Sequence, residues 1–183
     1  MAQLKNARVL MIATDGFEES ELFDPRQALL DAGAQVTLAS LKMAPITGEK
    51  AGEKGKSITP DATVEQVDLE QFDALLLPGG VGNPDKLRMN TRAVEIVRTF
   101  MDSNRVVAAI CHAPWLLAEA DVVAGRRLTG WPSIRTDLAN AGADVVDEAV
   151  VQDGNLITSR KPDDIPAFNQ AVIAALEDVT APA

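Results

Sequence analysis

Short aliphatic runs recur along the chain, separated by stretches in which apolar residues return at helical spacing. Arg8 to Ala13 (RVLMIA), Ala74 to Leu77 (ALLL) and Val106 to Ile110 (VVAAI) are almost continuously apolar, the pattern of strands buried on both faces. Gln35 to Ala39 (QVTLA) predicts a further strand. Between the first strand and this one, Asp24 is placed to cap a helix with Pro25 in its first turn, running through Leu29 and Leu30 to a stop at Gly33. Pro84 to Met89 predicts a single helical turn, and Asn90 caps a helix from Thr91 to about Met101. Pro114 opens a helix whose apolar positions are Trp115, Leu116, Leu117 and Ala120, and Ile134 to Ala141 predicts a short amphipathic one. Ala149 to Val151 and Leu156 to Thr158 form a hairpin about Asp153-Gly154, and Ile165 to Val179 closes the chain as a helix. Strand and helix alternating through short connections predict an α/β fold, a three-layer sandwich with a mostly parallel central sheet and helices on both faces.

The polar interruptions carry the chemistry. Ligands of parallel sheets gather beyond the carboxyl ends of the strands. Four polar features fall there: Asp15 to Glu21, Pro78-Gly79-Gly80, Cys111-His112, and Thr129 to Trp131. Remote in sequence, they are predicted to converge. At Cys111 the strand-to-helix junction puts backbone N–H groups and the positive end of a helix dipole beside a thiol, which favours the thiolate and makes it a candidate nucleophile. The alternative is an inert core cysteine. His112 is the chain's only imidazole, hence the one histidine available for proton transfer, although neighbours in a turn do not automatically turn their side chains toward each other. The amides of Gly80 and His112 are candidate oxyanion donors, and the glycines at 79 and 80 permit a tight turn with amides facing a ligand. Glu18 and Glu21 are the candidate acids, unless they belong to a solvated turn. A carboxylate beside the thiol raises the thiol's pKa unless the acid keeps its own proton, so the pair titrates as a coupled system.

Composition narrows the picture. With 183 residues, the chain is expected to form one domain, 1–183. A net charge of -10 argues against nucleic acid as a partner, because phosphate binding wants a basic surface. No apolar run reaches bilayer-spanning length, and MAQLKNARVL leads directly into the first strand, leaving no room for a signal peptide. A lone cysteine makes no internal disulfide and suits a reducing, cytoplasmic location. One Cys, one His and scattered carboxylates do not match zinc-site spacing, so neither a metal nor any other cofactor is expected. Met43 to Ser57 (MAPITGEKAGEKGKS) predicts an exposed turn or hairpin. Its Gly55-Lys56-Ser57 suggests a phosphate-binding loop, but Lys50 stands where that loop needs glycine, and Ile58-Thr59-Pro60 is extended rather than helical.

AICHAPWLL at 109–117, LLLPGG at 75–80, DGFEESEL at 15–22 and LITSRKPDDIPAF at 156–168 resemble the PfpI family of intracellular cysteine peptidases and stress proteins, part of the class I glutamine-amidotransferase-like superfamily. The resemblance runs from Arg8 to about Leu176. It implies a flavodoxin-like sandwich, Cys111 in a strained nucleophile elbow, His112 in catalysis, Glu21 in contact with the cysteine and Glu18 as a second acid. For peptidase members it implies an acid from a neighbouring subunit soon after the Pro-Gly-Gly turn. The nearest match is Asp85, a shorter acid in a segment with an extra residue. Ala113 stands where glycine is common, Trp115 where many members have a smaller or polar residue, and Trp131 in place of a pocket tyrosine. Gly79, Gly80, Trp115 and Trp131 are thus the substrate-binding candidates. The activity implied is that of a stress-protective cysteine hydrolase or carbonyl-repair enzyme, of glyoxalase or deglycase type, acting on small carbonyl compounds or on glycated or damaged protein. The alternatives are a redox-sensing or chaperone-like protein with an oxidisable Cys111, and a peptidase acting on peptides through Cys111, His112 and Asp85. The resemblance also implies a homo-oligomer, a dimer or a larger ring.

Overall fold

Aliphatic runs and helices alternate in space as they do in sequence. The computed structural model describes residues 4–180, with side chains as far as 178. Met1 to Gln3, the start of the stretch read as leaving no room for a signal peptide, lie outside the described residues. The first unit is β1 (Arg8–Ile12), α1 (Glu19–Asp31) and β2 (Gln35–Ser40). A hairpin of β3 (Ile46–Lys50) and β4 (Glu53–Ile58) follows, then β5 (Ala62–Thr63) and β6 (Ala74–Leu77). Beyond them come α2 (Gly82–Leu87), α3 (Thr91–Asp102), β7 (Val106–Ile110), α4 (Pro114–Glu119), β8 (Arg127–Leu128), α5 (Arg135–Asn140) and β9 (Asp144–Val145). The chain ends in β10 (Val150–Asp153), β11 (Leu156–Ser159) and α6 (Ile165–Thr180).

Seven strands form one sheet in the order β10-β11-β7-β6-β1-β2-β5. All neighbours are parallel except β10, which runs antiparallel to β11. Successive side chains point to opposite faces of a strand, and both faces are covered. Leu10, Ile12, Leu75, Leu77, Val107 and Ala109 pack with Val97 and Phe100 of α3 and Leu116 and Leu117 of α4. Val9, Met11, Leu76, Ala108 and Ile110 pack with Leu22 and Leu29 of α1 and Phe168 and Val172 of α6. This is the three-layer, flavodoxin-like α/β sandwich. The cap expected at Asn90 is present, its Oδ1 accepting from the Ala93 amide at 2.9 Å. Among the described residues no helix is long and apolar enough to cross a membrane.

The starts of two helices need correcting. Helix α1 begins at Glu19, five residues before the expected Asp24-Pro25 start, and carries Pro25 inside it. Its first turn holds Glu19 and Glu21, acids that the positive end of a helix favours. The acidic cluster is therefore partly helical, not a loop. Helix α2 starts two residues before Pro84. The Met43–Ser57 excursion is a hairpin as expected, the antiparallel pair β3–β4, whose strands pair with each other and not with the main sheet. Polar staples hold it: Asp15 Oδ1 accepts from the Thr47 amide at 2.9 Å, and Glu19 Oε2 accepts from the Lys56 amide at 2.8 Å.

Asn83 clamps the loops after β1 and β6 together. Fully buried, it accepts from the Thr14 amide at 2.8 Å and donates to the carbonyls of Pro78 at 2.9 Å and Gly79 at 3.1 Å. Asn83→Ala leaves the buried Thr14 N–H and the Pro78 carbonyl without partners, while the Gly79 carbonyl keeps the Glu18 amide. The substitution is expected to cost about 2 kcal/mol in urea unfolding. A loss below about 0.5 kcal/mol, the range of neutral surface changes, would show that the clamp is dispensable.

Candidate active site

Cys111 sits between the last residue of β7 and the start of α4 with φ +64, in the left-handed region that non-glycine residues rarely enter and that costs roughly 1–3 kcal/mol. Backbone bonds hold it there. Its N–H donates to the Ser159 carbonyl at 3.0 Å, and its carbonyl accepts from the Trp131 N–H at 2.8 Å. Strands β7 and β11 and the segment after β8 therefore all fix the elbow.

An imidazole, two backbone amides and a carboxyl meet the sulfur. His112 Nδ1 lies 3.2 Å from Sγ, so these neighbours do present their side chains to each other. The amides of Gly80 and His112 donate toward the sulfur. Glu21, fully buried on the first turn of α1, interacts with the thiol, and its Oε2 accepts from the Gly79 amide at 3.0 Å. Its Oε1 is buried with no conventional hydrogen-bond partner. Gly79 is wedged between these groups: a Cβ there would meet Glu21 Oε2 and lie 2.7 Å from the Cys111 Cβ.

Burial governs the electrostatics. Desolvation, aided by the charge of Glu18 and opposed by hydrogen bonds from the thiol and the amides of Gly79 and Gly80, pushes the Glu21 carboxyl up to about 8. It therefore keeps its proton at neutral pH. Desolvation, then the nearby Glu21 carboxyl, pushes the Cys111 thiol up, outweighing the two amides that pull it down. This corrects the expectation that the junction favours the thiolate. Helix α4 has only six residues, and its end is no match for burial. Burial also lowers the His112 pKa, so the imidazole is neutral at pH 7.

The groups open onto a cavity of about 290 Å³. Cys111, His112, Glu21, Glu18, Gly80 and Trp131 line it, so the four polar features of the sequence do converge. Trp131 stacks on His112 with ring centres 5.6 Å apart. The cavity does not take in every candidate. Trp115 packs its ring edge-on against His112 at 5.3 Å and donates its indole N–H to Asp137 at 2.8 Å, a wall behind the histidine rather than a surface of the cavity. Asp85 is exposed on α2 and lines a separate hollow with Arg88, Met89 and Glu119.

The sequence pattern does not single out Glu49, Gly52, Val81 or Pro162, which complete the lining. Pro162 follows the carboxyl end of β11 and obeys the same strand-end rule as the others. Glu49 and Gly52 come from the off-sheet hairpin, which that rule does not reach. Among the described residues no group of three or more His, Cys, Asp or Glu side chains is placed to hold a metal ion.

A family model, the DJ-1/PfpI family, matches residues 7–175. The chain belongs to that family, as its four motifs imply. It is 44% identical to general stress protein 18 of Bacillus subtilis over 93% of this chain and 98% of the relative. It is 41% identical to a deglycase of Pyrococcus abyssi over 93% and 99% respectively. Among solved structures, DJ-1beta of Drosophila melanogaster superposes with a TM-score of 0.83 at 31% identity, covering 98% of this chain and 96% of that one.

Proposed function

We propose that the protein is a cysteine-dependent carbonyl-repair enzyme, of glyoxalase or deglycase type, acting on a small 2-oxoaldehyde or on the adduct such an aldehyde leaves on protein. The observation that carries this reading is the meeting of a thiol, a buried carboxyl and an imidazole at one small cavity, where burial favours the protonated carboxyl and the neutral imidazole. Relatives named as deglycases support it.

For methylglyoxal, Cys111 Sγ bonds to the aldehyde carbon as the C=O π bond opens. The thiol proton passes to His112 Nδ1, and Glu21 gives its proton to the new alkoxide. The amides of Gly80 and His112 steady the charge that develops on oxygen. Glu21, now a carboxylate, removes the carbon-bound proton while His112 protonates the neighbouring carbonyl oxygen, giving an enediol. Glu21 returns the proton to the second carbon and takes the hydroxyl proton of the first, leaving a thioester of Cys111. Water, deprotonated by His112, hydrolyses it to lactate and restores the thiol. No oxidant or reductant enters.

A cavity of about 290 Å³ suits this substrate better than a peptide, and Asp85 of the same chain lies away from it. The test is lactate formation from methylglyoxal by the wild type and by Cys111→Ser. Turnover lost in the variant supports the reading. A wild type that forms no lactate and releases no adduct from methylglyoxal-treated peptide overturns it.

A further inference from the structure

The two nitrogens of His112 face different partners. Nδ1 lies 3.2 Å from Cys111 Sγ, and Nε2 lies 3.4 Å from the Ser133 hydroxyl. Trp131 stacks on the ring and Trp115 packs edge-on against it, and together they fix its plane. Aromatic packing is blind to which nitrogen carries the proton, because the two tautomers have nearly the same shape. A neutral imidazole has one donor and one acceptor nitrogen, and the hydrogen bond made by the far nitrogen decides which is which. Here the far nitrogen meets a hydroxyl.

We infer that Ser133 is a positioning residue that accepts a hydrogen bond from Nε2–H and thereby keeps Nδ1 unprotonated, an acceptor aimed at the Cys111 thiol. The inference rests on the roles proposed above for Cys111 and His112. The third member of the Cys-His array is then a neutral hydroxyl from the same chain. A carboxylate at this position would both orient the ring and stabilise the imidazolium; a hydroxyl only orients it. This agrees with an imidazole whose pKa is lowered by burial.

The placement of Ser133 is built into the backbone. It lies in a 3-10 turn, Pro132–Ile134, directly after Trp131, and the Trp131 N–H donates to the Cys111 carbonyl at 2.8 Å. One short segment thus brings the stacking ring and the orienting hydroxyl together and ties both to the elbow.

With one histidine in the chain, ring-nitrogen NMR of protein labelled with 15N-histidine reports this ring alone. The wild type, Ser133→Ala and Ser133→Thr are to be compared at pH 7.5. The wild type is expected to show a protonated Nε2 and an unprotonated Nδ1. Ser133→Ala is expected to shift the tautomer ratio toward Nδ1–H by about fivefold, the change that one neutral hydrogen bond supports, and Ser133→Thr to restore it. Alkylation of Cys111 by iodoacetamide should fall by a similar factor in Ser133→Ala, with the urea midpoint unchanged because Ser133 is exposed. Wild-type ring shifts in Ser133→Ala, or Nδ1–H in the wild type, overturn the inference. Methylglyoxal turnover reads the proposed function separately: an inactive wild type with the expected tautomer overturns the carbonyl-repair reading and leaves the role of Ser133 standing.

Discussion

Glu21→Gln is expected to abolish the carbonyl chemistry while making the fold less sensitive to alkaline pH. Glutamine keeps a donor beside the sulfur and an acceptor for the Gly79 amide, so the geometry around Oε2 survives. It cannot give up a proton, and loss of a positioned acid–base group costs about 10²–10⁴ in rate. The stability effect follows from linkage. The Glu21 carboxyl titrates at 4.5 when exposed and at about 8 in the folded chain, so between these values the folded state holds a proton that the unfolded state has released. Stability then falls as pH rises. His112, whose pKa is lowered, acts the other way below 6.5, so the clean window for Glu21 is pH 6.5 to 8. Across that window the wild type should lose about 2 kcal/mol more than Glu21→Gln, at about 1.4 kcal/mol per pH unit. Urea unfolding at four pH values measures it. Parallel curves for the two proteins would mean that Glu21 is ionised in the folded state, and its role as proton donor would fall with that.

Gly80→Ala is expected to be the most damaging small substitution in the chain. Gly80 has φ +79, and a Cβ there would lie 2.6 Å from the Glu18 amide nitrogen and 2.8 Å from the Phe17 carbonyl carbon, with the Gly16 carbonyl oxygen also in the way. These are backbone atoms that no rotamer change can clear. The left-handed conformation alone costs roughly 1–2 kcal/mol, and forcing two buried loops apart adds roughly 1–3 kcal/mol. A total near 4 kcal/mol is expected in urea unfolding. Because the neighbouring Gly79 amide holds Glu21, the same shift draws the carboxyl away from Cys111. Alkylation of Cys111 should therefore lose its dependence on Glu21. A Gly80→Ala protein with wild-type stability would mean that the loops after β1 and β6 are not in the tight contact described.

The sheet is legible in the sequence because runs such as ALLL and VVAAI have only one comfortable place, the middle of a sheet covered on both faces. The convergence of Cys111, Glu21, Gly80 and Trp131 is legible too, since the strand-end rule depends on topology alone. What escapes is decided by packing. Asp24-Pro25 is a strong local start signal, yet α1 begins at Glu19 with no side-chain cap, because Glu21 and Leu22 are buried as its first turn docks. The face-to-face approach of Cys111 and His112 depends on two tryptophans, one of them on a different segment. Nothing local to Cys111-His112 encodes it. For the thiol's pKa the sequence offers both directions, the helix end lowering it and the neighbouring carboxyl raising it. Packing decides between them, because burial adds to the effect of Glu21.

The β3–β4 hairpin has a consequence for how this site can diverge. Its strands form no pairs with the main sheet, and the tip at Gly52 has open space around it, although φ +80 keeps that one position to glycine. Lengthening or trimming the tip leaves the register of the seven strands, and hence the elbow, undisturbed. The reactive end of the cavity is bound to the core and tolerates little change. The rim opposite is modular, so lineages carrying this scaffold have latitude to reshape what enters while inheriting an unchanged floor.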